Sequence, residues 1–390
     1  MASLATRRPL YLDHHATTPC DPRVVEAMLP FFTADFGNAA SRSHAFGWAA
    51  DAAVEAARQQ VALLIGATPK EIVFTSGATE SNNLALFGVM QAAGATKRHL
   101  VISAIEHASV LETAAALSSA GFEVSTVGVP SDGVVRVSDV EAVLRPDTAL
   151  VSIMAANNEI GTLAPLEAIG ELCRGRGVYF HTDAAQAAGK IEIDVQRQHL
   201  DLVSLTAHKL YGPKGVGALY VRRRDPRVRL TPRSFGGGHE RGFRSGTLPV
   251  PLIVGFGRAC QLAAEVMPEE AARLLSLRTR LLSGLAGSLP GLVVHGDLER
   301  RLPGNLNVSF GELEAEPLLL SLRDFALSSG AACASATLSP SHVLRALGVP
   351  KELIHGSLRF GLGRGLTEDD IDLVVLRVVA AVSKLRDLLA

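Results

Sequence analysis

Lys209 lies in Ser204-Leu205-Thr206-Ala207-His208-Lys209-Leu210-Tyr211-Gly212-Pro213-Lys214-Gly215, after an apolar run, Leu200 to Leu205, that reads as a buried strand. A lysine at the mouth of a strand, beside a histidine and a hydroxyl residue and before a Gly/Pro turn, can form a Schiff base. Pyridoxal 5'-phosphate (PLP) uses such an amine as anchor and proton carrier. The ordinary alternative is a surface lysine in a loop. Asp183 ends the run Val178-Tyr179-Phe180-His181-Thr182. A carboxylate at the end of a buried strand needs a partner, which in a PLP site is the protonated pyridine nitrogen. A helix N-cap is the plainer reading. Gln186 follows closely and is placed to reach the phenolic oxygen. His107, after Ile105-Glu106, is a candidate to stack on the ring and move protons near neutral pH, or else a structural histidine.

Ser76-Gly77-Ala78-Thr79-Glu80-Ser81 follows a strand-like run and opens a helical pattern. Small residues at a helix start let N–H groups approach an anion, so the string has the form of a phosphate cradle. An N-cap by Ser76 or Thr79 accounts for it equally simply. Ser328 to Thr337 is a run of small residues around Cys333 and reads as a loop presenting a thiol, whose thiolate would be the nucleophile. A buried free cysteine is the alternative. Arg359, in Leu358-Arg359-Phe360-Gly361, offers a guanidinium for bidentate carboxylate binding, or is a surface arginine. Asn38 and Asn158 are weaker candidates for the same pocket.

The elements that must position these residues alternate along the chain. Glu71 to Thr75, His99 to Ala104, Ala149 to Ala155 and Val178 to Thr182 read as strands. Helical stretches from about Thr79, from about Ala108 and over Leu166 to Arg174 lie between them. Such alternation predicts βαβ units and a mainly parallel sheet with ligands at the carboxyl ends of its strands. The polar clusters Ser76 to Glu80, Glu106-His107, Asn157-Asn158-Glu159 and Asp183 fall at those ends. After Gly238 the pattern changes. Leu248 to Leu289 reads as mostly helical. Val293-Val294, Asn305 to Phe310, Phe325 to Ser328 and Ser357 to Gly361 read as short strands of a smaller α+β unit.

A length of 390 residues suits about two domains. With 47% hydrophobic and 20% charged residues the chain can fill large cores. A net charge of -1 gives no electrostatic case for nucleic acid or an anionic membrane. The arginine-rich run Arg222 to Arg233 reads as a solvated turn. No apolar run reads as long enough to span a bilayer. Met1 to Arg8 has no apolar core and does not read as a secretory signal. The four cysteines, Cys20, Cys173, Cys260 and Cys333, are scattered and form no CxxC pair, which suits a reducing compartment. No metal site is expected.

Together these strings resemble the cysteine desulfurases of the NifS/IscS type, within the aspartate aminotransferase-like PLP fold. Further matching strings are Tyr11-Leu12-Asp13, Ala16-Thr17-Thr18-Pro19, Ser41-Arg42-Ser43-His44, Asn157-Asn158-Glu159-Ile160-Gly161, and Gly237-Gly238-His239-Glu240-Arg241 through Arg244-Ser245-Gly246-Thr247. The Cys333 segment, continuing through Leu338-Ser339-Pro340-Ser341-His342, is similar to the long loop of the NifS/IscS branch. The resemblance implies a large PLP-binding domain over residues 16–260. It implies a small domain from 1–15 and 261–390 that carries Cys333. It also implies that Lys209 holds PLP and moves the substrate Cα proton. Asp183 pairs with the pyridinium, Gln186 contacts the ring oxygen and His107 stacks. Thr79, with Gly77 and Ala78, binds phosphate together with Thr206 and His208, and Thr247 reaches it from the partner of a homodimer. Arg359 holds the substrate carboxylate with Asn158 and Asn38. Cys333 takes the sulfur of L-cysteine as a persulfide, leaving alanine, for an iron–sulfur scaffold or another sulfur-acceptor protein in the cytoplasm.

The chain departs from the family pattern at Ala207, where Gly is frequent, at Thr206 for Ser, and at Ala39 for Pro. It also ends at Ala390, without the longer tail by which many members dock a scaffold. Selenocysteine lyase or aminotransferase chemistry on the same fold is the alternative, and a catalytically silent docking subunit is a rival of another class. The Cys333 string argues against a plain aminotransferase. Lys209, Asp183 and Cys333 together argue against a silent subunit.

Overall fold

After a two-residue strand, β1 (Leu10–Tyr11), the chain builds a seven-stranded sheet from β2 (Ile72–Thr75), β3 (His99–Ser103), β4 (Glu123–Val127), β5 (Thr148–Ser152), β6 (Tyr179–Asp183), β7 (Leu202–Thr206) and β8 (Gly217–Val221). The computed structural model describes residues 8–311, 313–329 and 340–389. The strand order is β2-β8-β7-β6-β5-β3-β4, and only β8 runs against its neighbours. The sheet is therefore mainly parallel, as the alternation of runs predicts. Every residue of β5, β7 and β8 is buried, which is what a sheet covered on both faces requires.

The pleat sorts the side chains. Leu202, Leu219 and Val221 face the helices Ala78–Ala92 and Ala108–Ser119. Val203, Leu205, Ala218 and Tyr220 face Ala45–Leu64 and the start of the long helix Val250–Ser288. Two strands of this sheet do not appear in the sequence reading. β4 is a sheet edge whose Glu-Val-Ser-Thr-Val is mostly solvent-touched, so it forms no apolar run. β8 directly follows the Gly/Pro turn after Lys209.

A second unit holds the antiparallel sheet β12-β13-β10-β9, made from β9 (Leu292–Val294), β10 (Asn305–Phe310), β12 (Ser328–Ser329) and β13 (Ser357–Gly361). β11 (Phe325–Ala326) pairs in parallel with β1 instead. The single strand expected over Phe325 to Ser328 is thus two, in different sheets. A separate core of Leu277, Leu281, Leu306, Phe310, Leu358, Phe360, Val374 and Val378 lies under this sheet and the C-terminal helix Glu368–Leu389.

Val250–Ser288 joins the two units. Ile253, Phe256 and Leu262 belong to the first core, and Leu274, Leu281 and Leu285 to the second. By length and composition this helix could cross a bilayer, which corrects the expectation that no such segment exists. Here it packs on Ala45–Leu64. A Cβ on Gly257 would lie 2.6 Å from Ala57 Cα, so the two helices meet backbone to backbone. The arginine run also needs correction. Arg222 is buried and donates to the Val195 and Leu200 carbonyls, and Val228 is buried too, so the continuous exposed turn is Arg223 to Arg227.

Candidate active site

β7 ends in a tight turn, Ala207–Lys209, that carries Lys209 to the carboxyl end of the sheet. The turn is clamped from the N-terminal segment: Thr18 donates to the His208 carbonyl from both its N–H (2.9 Å) and its hydroxyl (2.9 Å). His208 Nδ1 meets Thr17 Oγ1 at 3.0 Å. Burial, with Lys209 and Lys214 nearby, pushes His208 down to about 4, so it is neutral in the working range.

Lys209 opens onto a cavity of about 570 Å³. Its walls include Ala78, Thr79, His107, Asn158, Asp183, Gln186, Thr206, His208 and Gly77. Nine of the expected positions thus converge with Lys209 from the ends of five strands, β2, β3, β5, β6 and β7. Lys214 also lines the wall, farther along the loop.

Asp183, at the end of β6, accepts from Ala185 N–H (2.9 Å) through Oδ1 and from Asn82 Nδ2 (2.7 Å) through Oδ2. Gln186 donates Nε2–H to the His15 carbonyl (2.8 Å). Its Oε1 accepts from Lys190 Nζ (3.2 Å) and meets His15 Nδ1 (3.1 Å). These partners fix the amide orientation and leave the second Nε2 hydrogen for the cavity. Burial, and next the charge on Lys209, bring Lys190 down to about 7. His107 N-caps the helix Ala108–Ser119 through Nδ1. Burial lowers its pKa, Asp183 opposes the change, and Lys209 and His342 add to it.

The helix Ala78–Ala92 starts at Gly77, not at Ser76 or Thr79, and no side chain caps it. Glu80 instead reaches back to Ser76 N–H (2.6 Å) and pairs with Arg244 (2.9 Å). Gly77 takes φ 155°, and a Cβ on Gly217 would lie 2.6 Å from Gly77 Cα. Two glycines therefore let the cradle sit on β8, with the first-turn N–H groups facing the cavity.

Not every expected position lies on that wall. Arg359, on β13, is buried. Its guanidinium bonds Asp13 Oδ1 (2.7 Å) and the Asn158 carbonyl (2.9 Å). Asn38 is exposed and its Oδ1 accepts from Ala40 N–H (2.9 Å). Thr247 is exposed too, in a segment pinned by Glu240. Cys333 lies outside the described residues. Described residues on either side of it are tied to other elements: Ser328 Oγ donates to Asp13 Oδ2 (2.8 Å), Ser341 bonds Glu159, and His342 Nε2 meets the Glu106 carbonyl (3.0 Å). The other three thiols are poor nucleophiles. Burial pushes Cys173 up to about 12 and raises Cys260 as well, and burial with Asp21 raises Cys20.

Sequence reasoning passed over His15, Asn82, Ser109 and Lys190. The only local signals were the His14-His15 doublet and the polar Ser81-Asn82-Asn83 inside an otherwise apolar helix.

A parallel-sheet fold with a lysine-centred cavity at its strand ends defines a broad class, and the family comparison gives the member. The chain belongs to the class-V aminotransferase family, whose model matches residues 10–374. Within that family it is of the cysteine desulfurase, NifS/IscS, type. It is 57% identical over 380 residues to the cysteine desulfurase IscS of an Anaeromyxobacter species, covering 97% of this chain and 94% of that one. A solved NifS-like protein matches with TM-score 0.89 at 39% identity, over 96% and 99% of the two chains. The structure of SspA in complex with cysteine matches with TM-score 0.80 at 37% identity, over 90% and 98%.

Proposed function

We propose that the chain is a PLP-dependent cysteine desulfurase that converts L-cysteine to L-alanine at the Lys209 cavity and leaves the sulfur on Cys333 as a persulfide. The convergence of Lys209, Asp183, Gln186, His107 and an uncapped helix start in one cavity carries this reading. The donor set fits PLP: an amine for the aldehyde, a carboxylate for the ring nitrogen, a flat neutral ring beside it and free N–H groups for the phosphate. When bound, the cofactor supplies the electron sink for cleavage next to the substrate Cα. Lys209 anchors it and carries the Cα proton. Asp183 holds the ring nitrogen protonated, Gln186 donates to the ring oxygen and His107 covers one face. Ala78, Thr79, Thr206 and His208 receive the phosphate. Arg359, which now bonds the Asn158 carbonyl and Asp13, would take the substrate carboxylate with Asn158 in exchange for Asp13. Cys333 attacks the substrate sulfur. Its acceptor is an iron–sulfur scaffold or another sulfur-carrying protein.

The assembly we propose is a homodimer. Thr247 and Asn38 do not line the Lys209 cavity of their own chain, and Phe32, Phe36, Phe46 and Trp48, close to Asn38 in sequence, are exposed, with Phe36 packed on Phe46. A second copy covers that group and receives Thr247 at its phosphate seat. A fully active monomer by sedimentation at assay concentration overturns this.

The reaction is tested by L-cysteine turnover with alanine and sulfide both quantified. Equal production is expected from the wild type in reductant. Cys333→Ser should bind PLP and retain its colour but release little alanine. Alanine from that variant at the wild-type rate refutes the role of Cys333 and moves the reading to a lyase of the same fold.

A further inference from the structure

We infer that Asn82 and Ser109 are positioning residues that join Asp183 to His107 and hold His107 as the Nε2–H tautomer. The inference deepens the reading of this cavity as the cofactor site, and it rests on hydrogen-bond direction alone.

Asn82 is fully buried on the helix Ala78–Ala92, beneath the cavity. Its Nδ2 lies 2.7 Å from Asp183 Oδ2 and 2.8 Å from Ser109 Oγ. A carboxylate oxygen only accepts from an amide, so the NH₂ group and not the carbonyl must face Asp183. The amide carbonyl, Oδ1, is then left buried without a hydrogen-bond partner among the described residues. That cost is accepted because the reversed amide would set oxygen against oxygen. Both hydrogens of Nδ2 are now assigned, one to Asp183 and one to Ser109 Oγ.

Ser109 Oγ, having accepted, gives its own proton onward. His107 Nδ1 lies 2.8 Å away. The same Nδ1 also accepts the Ser109 backbone N–H at 3.1 Å, and a backbone N–H can only donate. Two donors thus converge on the Nδ1 lone pair, and the ring proton of neutral His107 resides on Nε2. Protonating Nδ1 would turn it against both donors. Asp183, Lys209 and His342 are the charged or titratable groups around the ring, and only Asp183 favours its cation. His107 therefore offers the cavity a ring face and an N–H donor. Proton transfer at neutral pH falls to Lys209, and Asp183 and His107 are set as one unit through a single amide.

The test uses apoprotein with ¹⁵N-labelled histidine, so its outcome does not depend on turnover or on the cofactor. The His107 signals are assigned by their loss in His107→Gln among the 12 histidines. Above its titration, His107 should show a protonated Nε2 and an unprotonated Nδ1; the reverse, or an equal mixture, overturns the tautomer. Ser109→Ala removes one donor to the neutral ring, so His107 should titrate roughly half to one pH unit higher. Ser109→Thr should restore the wild-type value. Asn82→Ala never touches His107, yet should move it in the same direction. A His107 titration indifferent to both alanine variants refutes the relay. If Asn82→Ala does not fold, the Ser109→Ala and Ser109→Thr pair decides the question.

Discussion

At the residue scale, the cavity is a set of acceptors and donors with few free choices. Asp183 accepts through both oxygens, Gln186 is fixed through both ends of its amide, and His107 is fixed through Nδ1. Asp183→Asn keeps the shape but places an amide where a charge is required. A charge-assisted hydrogen bond contributes about 1.5–3 kcal/mol, so turnover should fall roughly ten- to hundredfold. Unchanged turnover in that variant would remove Asp183 from its role. The thiols make a second test. Wild type given L-cysteine without reductant should gain the mass of one sulfur on Cys333 and none on Cys20, Cys173 or Cys260. Burial keeps those three protonated well above neutral pH. Sulfur found on Cys173 would contradict both assignments.

At the element scale, the segment from Gly236 to Thr247 is not a loose loop, although six of its residues are glycines or serines. Glu240 and Arg241 both take positive φ, 47° and 57°. The Glu240 carboxylate is buried, forks onto Arg58 (2.7 and 2.8 Å) and accepts Phe74 N–H (2.7 Å). Arg241 donates to the Ile72 carbonyl (2.9 Å). The segment that presents Thr247 is therefore bolted to β2, an outer strand of the main sheet. Removing one member of a buried pair strands the other charge, so Glu240→Ala should lower unfolding free energy by about 3–5 kcal/mol. Replacing both, as Arg58→Met with Glu240→Leu, should cost less than Glu240→Ala alone. Equilibrium denaturation decides it. A cost within a few tenths of zero for Glu240→Ala would mean that the pair does not hold the segment.

At the scale of the whole molecule, two cores share one helix and meet again beside the cavity. Ile105 and Ile160 from the large unit pack with Val343, Leu344 and Ile354 from the small one. The same contact carries a titratable clasp, Glu159 to Ser341. Burial raises Glu159 from 4.5 to about 7, with Ser341 and Arg359 opposing it. Between those values the folded chain binds a proton that the unfolded chain does not. Stability from this group is thus full below about pH 4.5 and is lost as pH rises through about 7. The difference amounts to roughly 3 kcal/mol at most. Glu159→Gln, which stays neutral, should gain stability relative to wild type on going from about pH 5 to about pH 8. Parallel unfolding curves at the two pH values would show that Glu159 does not titrate in this range.

The strand ends were legible because each combines an apolar run with an abrupt polar or small residue. Lys209, Asp183, His107 and the Ser76 to Glu80 string all carry that local signature, and the parallel order follows from the alternation of runs. The edge strand β4 was not legible, since a half-exposed edge needs no continuous apolar run. Nor was the second layer of the site. Asn82 meets Asp183 across 101 residues of chain, Gln186 meets His15 across 171, and Arg359 meets Asp13 across 346. Hydrogen bonds over such separations leave no periodicity in the sequence. The sequence by itself determined which side chains could do the chemistry, because residue type and strand-end position are local properties. Only the tertiary structure decided how those side chains are oriented, because orientation is set by partners that the fold brings together from elsewhere in the chain.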